Sequence, residues 1–138
     1  MIKNNFDYAL AQLERKFRTG NYESHYLLQS ITLHQREYVL NMISYYEKEN
    51  QLDILKSNPN ALCEEYLKSP SDFYKKSFSH NVLVLSDLEY VTEDNYSRIR
   101  DIVAWFLNKN KIVVLISADY FDKSLIILER FYNEFICC

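Results

Sequence analysis

Apolar positions along this chain follow two rhythms, a helical one near 3.6 residues and short unbroken runs, and the two take turns. Phe6, Ala9, Leu10, Leu13 and Phe17 share one helical face while Asp7, Glu14, Arg15 and Lys16 stay wet. Residues 6–17 therefore predict a helix, which Gly20 and Asn21 end. The apolar run His25–Ile31 predicts a first strand, and Glu37–Glu49 a second helix with Tyr38, Met42, Ile43 and Tyr46 inward. Leu52–Leu55 predicts a second strand, interrupted by Asp53. Asn58 and Pro59 turn the chain into a third helix, Asn60–Lys68, burying Leu62, Tyr66 and Leu67. Pro70 closes it, and Ser71 or Asp72 caps a single further turn through Lys76.

The stretch that organises the chain is Asn81–Val91, NVLVLSDLEYV. Four consecutive apolar residues, Val82–Leu85, predict a strand buried on both faces, as in a parallel sheet covered by helices. Thr92 suits an N-cap, with Glu93 and Asp94 in the first turn of a helix that buries Ile99, Ile102, Val103 and Phe106 and ends near Lys109. Lys111–Ser117, β-branched and unbroken, predicts the next strand. A last helix, Asp122–Asn133, leads to Phe135–Cys138, an edge strand. Strands alternating with helices predict an α/β fold: a three-layer αβα sandwich on a mostly parallel five-stranded sheet, with right-handed crossovers. Flavodoxin-like and other three-layer folds share that alternation.

Composition narrows the picture. At 138 residues the chain reads as a single domain, 1–138, without repeat or linker. A net charge of -3 excludes a broad basic field of the kind that holds phosphate backbones non-specifically. No apolar run is long enough to span a membrane and no leader pattern opens the chain, so a cytoplasmic protein is expected. Cys63, Cys137 and Cys138 form no CxxC and are expected as reduced thiols. His25, His34 and His80 are too scattered for a metal site, so none is expected. The 12 tyrosines suit core edges, although base stacking is an alternative use.

Ser86, Asp87 and Glu89 follow the central strand, at the sheet's carboxyl edge where ligands bind in open parallel sheets. VLVLSDLEYV resembles a Walker B strand, and KIVVLISAD, Lys111–Asp119, resembles a sensor 1 strand with Ser117 and Asp119 at its end. With LERFYNEF at Leu128–Phe135 in the place of an arginine-bearing segment, the chain resembles, over nearly its whole length, the AAA+ domain of the DnaA/Hda replication-initiation family. Phe6 and Asp7 match residues that open the domain there. That resemblance implies a P-loop NTPase core, ATP or ADP as ligand, and contacts with other replication proteins.

The departures are chemical. A P-loop, GxxxxGK[ST], needs glycines so that backbone N–H groups converge on phosphate, and a lysine to meet its charge. Here the corresponding turn carries Ser30, Ile31, Thr32, Leu33, His34, Gln35 and Arg36, with neither glycine nor lysine. Ile31 and Thr32 are β-branched and resist positive φ. Ser86 stands where the metal-binding Walker B acid belongs, and Asp87 where the water-orienting acid belongs. Arg130 matches the first arginine of the family's segment, whereas Glu134 takes the finger position. The expectation is a pseudo-ATPase without cofactor, or with residual ATP/ADP binding, that docks on a replication protein such as an AAA+ initiator. Asp87, Ser117 and Asp119 can equally serve as caps of their turns. The family's lid, its duplex-binding domain and the clamp-binding peptide of Hda are not visible in this sequence.

Overall fold

The computed structural model describes residues 5–20 and 25–138; the helix stop expected at Asn21 lies outside them. Five parallel strands form one sheet: β1 (His25–Leu28), β2 (Ile54–Ser57), β3 (Val82–Leu85), β4 (Ile112–Ile116) and β5 (Phe135–Cys137), in the order β2-β3-β4-β1-β5. Helices α1 (Phe6–Thr19) and α2 (Leu33–Glu49) cover one face, and α3 (Pro59–Lys68), α4 (Pro70–Ser77), α5 (Tyr96–Asn108) and α6 (Ser124–Leu128) the other. The three-layer αβα sandwich is as the alternating pattern predicts.

Strand residues alternate between two cores because successive side chains leave a strand on opposite sides. Tyr26, Leu28, Val82, Val84, Val114 and Ile116 pack with Leu13, Phe17, Val39 and Ile43 of the α1/α2 layer. Leu27, Leu83, Leu85, Val113 and Leu115 pack with Leu62, Phe73, Ile102, Phe106 and Ile127 of the other. Both faces being covered explains why β3 and β4 are unbroken apolar runs.

Local chemistry sets the helix ends. Asn5 Oδ1 accepts from Tyr8 N at 2.7 Å, and Gly20, at φ 71°, closes α1 by donating to the Lys16 carbonyl. Thr32 and Gln35 form a reciprocal capping box, at 3.1 and 2.9 Å, so α2 begins at Leu33, four residues before the expected start. Pro70 does not merely end α3: with Ser69 as N-cap it opens α4, a two-turn helix rather than one turn.

Other expectations shift for identifiable reasons. β2 lies two residues later than Leu52–Leu55, because Gln51 takes φ 53° and the Asn81 side chain holds Asp53 N, keeping Leu52 and Asp53 in the turn. Tyr38 and Leu67 are exposed, and Val39 and Cys63 fill the core instead. Residues 93–95 form a 3-10 turn before α5, and the Thr92 hydroxyl bonds Asn60 rather than capping. The last helix stops at Leu128, where Glu129 adopts φ 46°, and continues as 3-10 turns to Glu134. No helix among the described residues is long and apolar enough to cross a membrane.

Candidate functional site

The carboxyl ends of β1, β3 and β4 bring together three of the segments singled out in the sequence. Only residues 29–32 separate β1 from α2, so a tight turn joins them. Within it Ser30 takes the left-handed conformation, φ 55°, and its N–H donates to the Asp119 carbonyl at 3.3 Å. Ile31 is buried, while Thr32 and His34 are exposed on the first turn of α2, Thr32 being occupied as cap. The hollow beside this turn, lined by Asn5, Phe6, Ser30 and Gln35, encloses about 240 Å³. That falls below the span of roughly 300–1,000 Å³ usual for small-molecule sites.

The β3 end meets this turn through an ion pair. Asp87 sits at φ 60°, immediately before a 3-10 turn, Leu88–Tyr90, and its Oδ1 lies 3.2 Å from Arg36 Nη2. Ser86 is half-buried and its N–H donates to the Ser57 carbonyl at 3.0 Å, tying β3's end to β2's. Arg36 Nε and Glu89 Oε1 are both buried, without a hydrogen bond among the described residues. Ser117 is fully buried: its N–H reaches the Leu28 carbonyl and its hydroxyl donates to the Asp119 carbonyl at 2.7 Å. The Asp119 carboxylate itself is exposed, so its backbone rather than its acid organises this corner.

With side chains 28% and 39% exposed, the Arg36–Asp87 pair is partly screened. Asp87→Asn keeps the left-handed turn, which Asn tolerates, and so isolates the charge. The expected loss is below about 1 kcal/mol and shrinks at high salt, read from urea unfolding at two ionic strengths.

Arg130 is not part of this group. It lies beyond α6 in the 3-10 turns, where its Nη2 donates to Asn108 Oδ1 at 3.2 Å and its guanidinium stacks on Phe131 at 4.8 Å. Asn108 ends α5, so Arg130 sits at the amino edge of the sheet, the far end from Asp87.

One residue at the carboxyl edge has no counterpart in the motifs. Gln29, 7% exposed, accepts from Phe121 N through Oε1 at 3.0 Å and approaches Cys137 Sγ through Nε2 at 3.0 Å. It thus clamps β1, the loop after β4, and β5. As for nucleophiles, burial pushes the Cys63 thiol up to about 11, leaving it protonated and unreactive at neutral pH. Among the described residues no group of three His, Cys, Asp or Glu side chains is placed to hold a metal ion.

No protein-family model matches the sequence. No curated protein matches it either. Solved structures do. The chain superposes on domain III of the Thermotoga maritima replication initiation protein DnaA with TM-score 0.71 at 13% identity, covering 99% of this chain and 62% of that one. AMPPCP-bound DnaA from Aquifex aeolicus gives TM-score 0.71 at 16% identity, covering 100% and 47%. The replication initiator DnaA bound to AMPPCP and single-stranded DNA gives 0.70 at 14%, covering 99% and 46%. The chain therefore spans between about half and three-fifths of these proteins. At such identities the likeness is one of architecture, and the architecture of this chain is that of DnaA domain III.

Proposed function

We propose that this chain is a non-catalytic, DnaA/Hda-like module in DNA replication initiation or its regulation, acting through protein contacts at the carboxyl edge of its sheet. The Arg36–Asp87 ion pair carries the proposal. The acid left in the Walker B-like segment is neutralised from within the chain, by a guanidinium from the first turn of α2. Phosphoryl transfer needs a phosphate cradle, a metal held by an acid, and an acid free to orient water. Here the turn lacks glycine and lysine, Ser86 replaces the metal-binding acid, and Asp87 is engaged.

What the same edge offers is contact chemistry. Leu33 on the first turn of α2, Tyr90 after β3 and Tyr120 after β4 are all exposed. A partner protein, such as an AAA+ initiator, that presents apolar and aromatic side chains would cover these three.

Calorimetric titration with ATP and ADP, with and without magnesium, tests the reading. A flat response up to millimolar nucleotide is expected; saturable micromolar binding would overturn it. That outcome would support the second reading, a residual ATP/ADP-binding protein or weak ATPase with a rearranged phosphate loop, which draws on the AMPPCP-bound structural neighbours. Binding to an initiator, weakened by Arg36→Glu, is the positive counterpart.

A further inference from the structure

Four rings run in contact through the α3, α4 and α5 layer toward its surface. Tyr66 meets Tyr74 with centroids 5.7 Å apart, Tyr74 meets Trp105 at 5.1 Å, and Trp105 meets Phe78 at 5.4 Å. Buried Phe73 and Phe106 back Tyr74 and Trp105 at 5.5 and 5.1 Å, so the row is held from behind. Its outer end is open: Phe78, which closes α4, is 60% exposed, and Trp105 beside it is half-buried. A lone exposed apolar side chain is ordinary on a protein surface, but a phenylalanine laid on a half-covered tryptophan has the composition of an interface anchor.

Charge decides what such an anchor accepts. Lys75 precedes Phe78 by three residues and shares its side of α4, because Phe78 keeps helical dihedrals, φ -58° and ψ -34°. Lys109 lies one turn after Trp105, at the end of α5, with its ammonium 5.4 Å from the Phe78 centroid. Both lysines are exposed, and among the described residues neither ammonium joins an ion pair or a hydrogen bond, so their N–H groups are open to an incoming anion. Two carboxylates of this region are taken: Asp101, one turn before Trp105, faces Arg100 Nε at 3.7 Å, and Asp53 meets His80 Nδ1 at 2.8 Å. In a chain of net charge -3, the corner around Phe78 is therefore locally positive. The ring geometry favours a protein over a nucleic acid chain. Base stacking needs free ring faces in succession, whereas Phe78 has an ammonium over its ring and meets Trp105 edge-to-face at 81°.

We propose that the Phe78 corner docks an acidic segment of a partner protein, an apolar side chain of that segment covering Phe78 and Trp105 while its carboxylates meet Lys75 and Lys109. This surface is separate from the carboxyl-edge contact above, since Phe78 precedes β3 and Tyr90 follows it.

Trp105 is the single tryptophan of the chain, so its emission reports on the corner directly. The probe is a short amphipathic peptide of leucine and glutamate, titrated into the whole chain. A saturable blue shift is expected, weakened about tenfold by Lys109→Glu and at least as much by Phe78→Ala, and screened by salt. Lys109→Glu is a surface change and should keep the parent urea midpoint, so its effect is one of binding. Lys76 lines a separate hollow with Glu65 and Asp72, and Lys76→Gln should leave binding unchanged. No saturable shift up to millimolar peptide would overturn the proposal, as would equal binding of a leucine and lysine peptide or equal weakening by Lys76→Gln. Oligothymidine that binds more tightly than the peptide and is lost in Lys109→Glu would overturn it in favour of single-stranded nucleic acid. A dimer in sedimentation that Lys109→Glu dissolves would overturn it in favour of a second copy of this chain.

Discussion

Gln29→Ala is expected to destabilise the chain by about 3 kcal/mol, the largest effect of any single polar substitution at the carboxyl edge. The Gln29 side chain is the acceptor for Phe121 N, and Phe121 is itself buried. Truncation leaves that amide without a partner, a loss of roughly 1–3 kcal/mol, and opens a void where the side chain stood. The amide orientation follows from the backbone: Phe121 N–H requires an acceptor, so Oε1 faces it and Nε2 is left toward Cys137 Sγ. Gln29→Met separates the two contributions by refilling most of the volume while still orphaning the amide. It should recover about half the loss. A double-mutant cycle of Gln29→Met with Cys137→Ala, read by urea unfolding, should show coupling below about 1 kcal/mol, because sulfur is a weak acceptor. A Gln29→Ala loss under about 1 kcal/mol would mean that the clamp does not hold the three segments together.

Gln29 also shows where sequence reading stops. It is a single polar residue at the end of an apolar run, and its key partner is a backbone amide 92 positions away. No side-chain pattern encodes such a contact. The Arg36–Asp87 pair is similar: the charges are visible, but their meeting depends on how α2 leaves β1 and how β3 turns at φ 60°. β3 and β4 were legible because burial on both faces forces uninterrupted apolar runs. β2, at the sheet's edge with Lys56 exposed, lacks that constraint, and its register slid by two residues.

The start of α2 is a different kind of miss. Thr32 and Gln35 carry the spacing of a capping box, so the signal was present in the sequence. The apolar face that sets the expected start at Glu37, Tyr38 to Tyr46, says nothing of that cap. The consequence is functional, because the early helix leaves only residues 29–32 to surround any ligand. The break at Glu129 had no sequence signal: a non-glycine residue at φ 46° is held where Arg100 Nη1 meets Glu129 Oε1 at 3.1 Å, an exposed pair between α5 and the following turns. Arg130 then follows the 3-10 path to the amino edge, far from the ion pair.

At that amino edge, acidification is expected to lower stability through one histidine. Burial, and then the nearby Lys16 charge, hold His25 down to about 4 from an ordinary 6.5. Between those values the unfolded chain binds a proton that the folded chain refuses, so stability rises with pH across the window. His25 therefore contributes its full share above pH 6.5, loses it progressively as pH falls toward about 4, and loses nothing more below. The shift corresponds to roughly 2–3 kcal/mol after allowing for the partly exposed ring. Asp53, held below the usual carboxylate range by its hydrogen bond to His80, loses its contribution only at the acid end of this window and beyond. His25→Phe keeps a ring against Phe135 and removes the proton site, so the fall in unfolding free energy from pH 7.5 to 4.5 should shrink by about 2 kcal/mol relative to the parent chain. His25→Gln, which fits the same volume more loosely, should flatten the profile in the same sense. A His25 titration midpoint at or above 6.5 in NMR, or an acid slope unchanged by both substitutions, would mean that the imidazole is hydrated rather than buried.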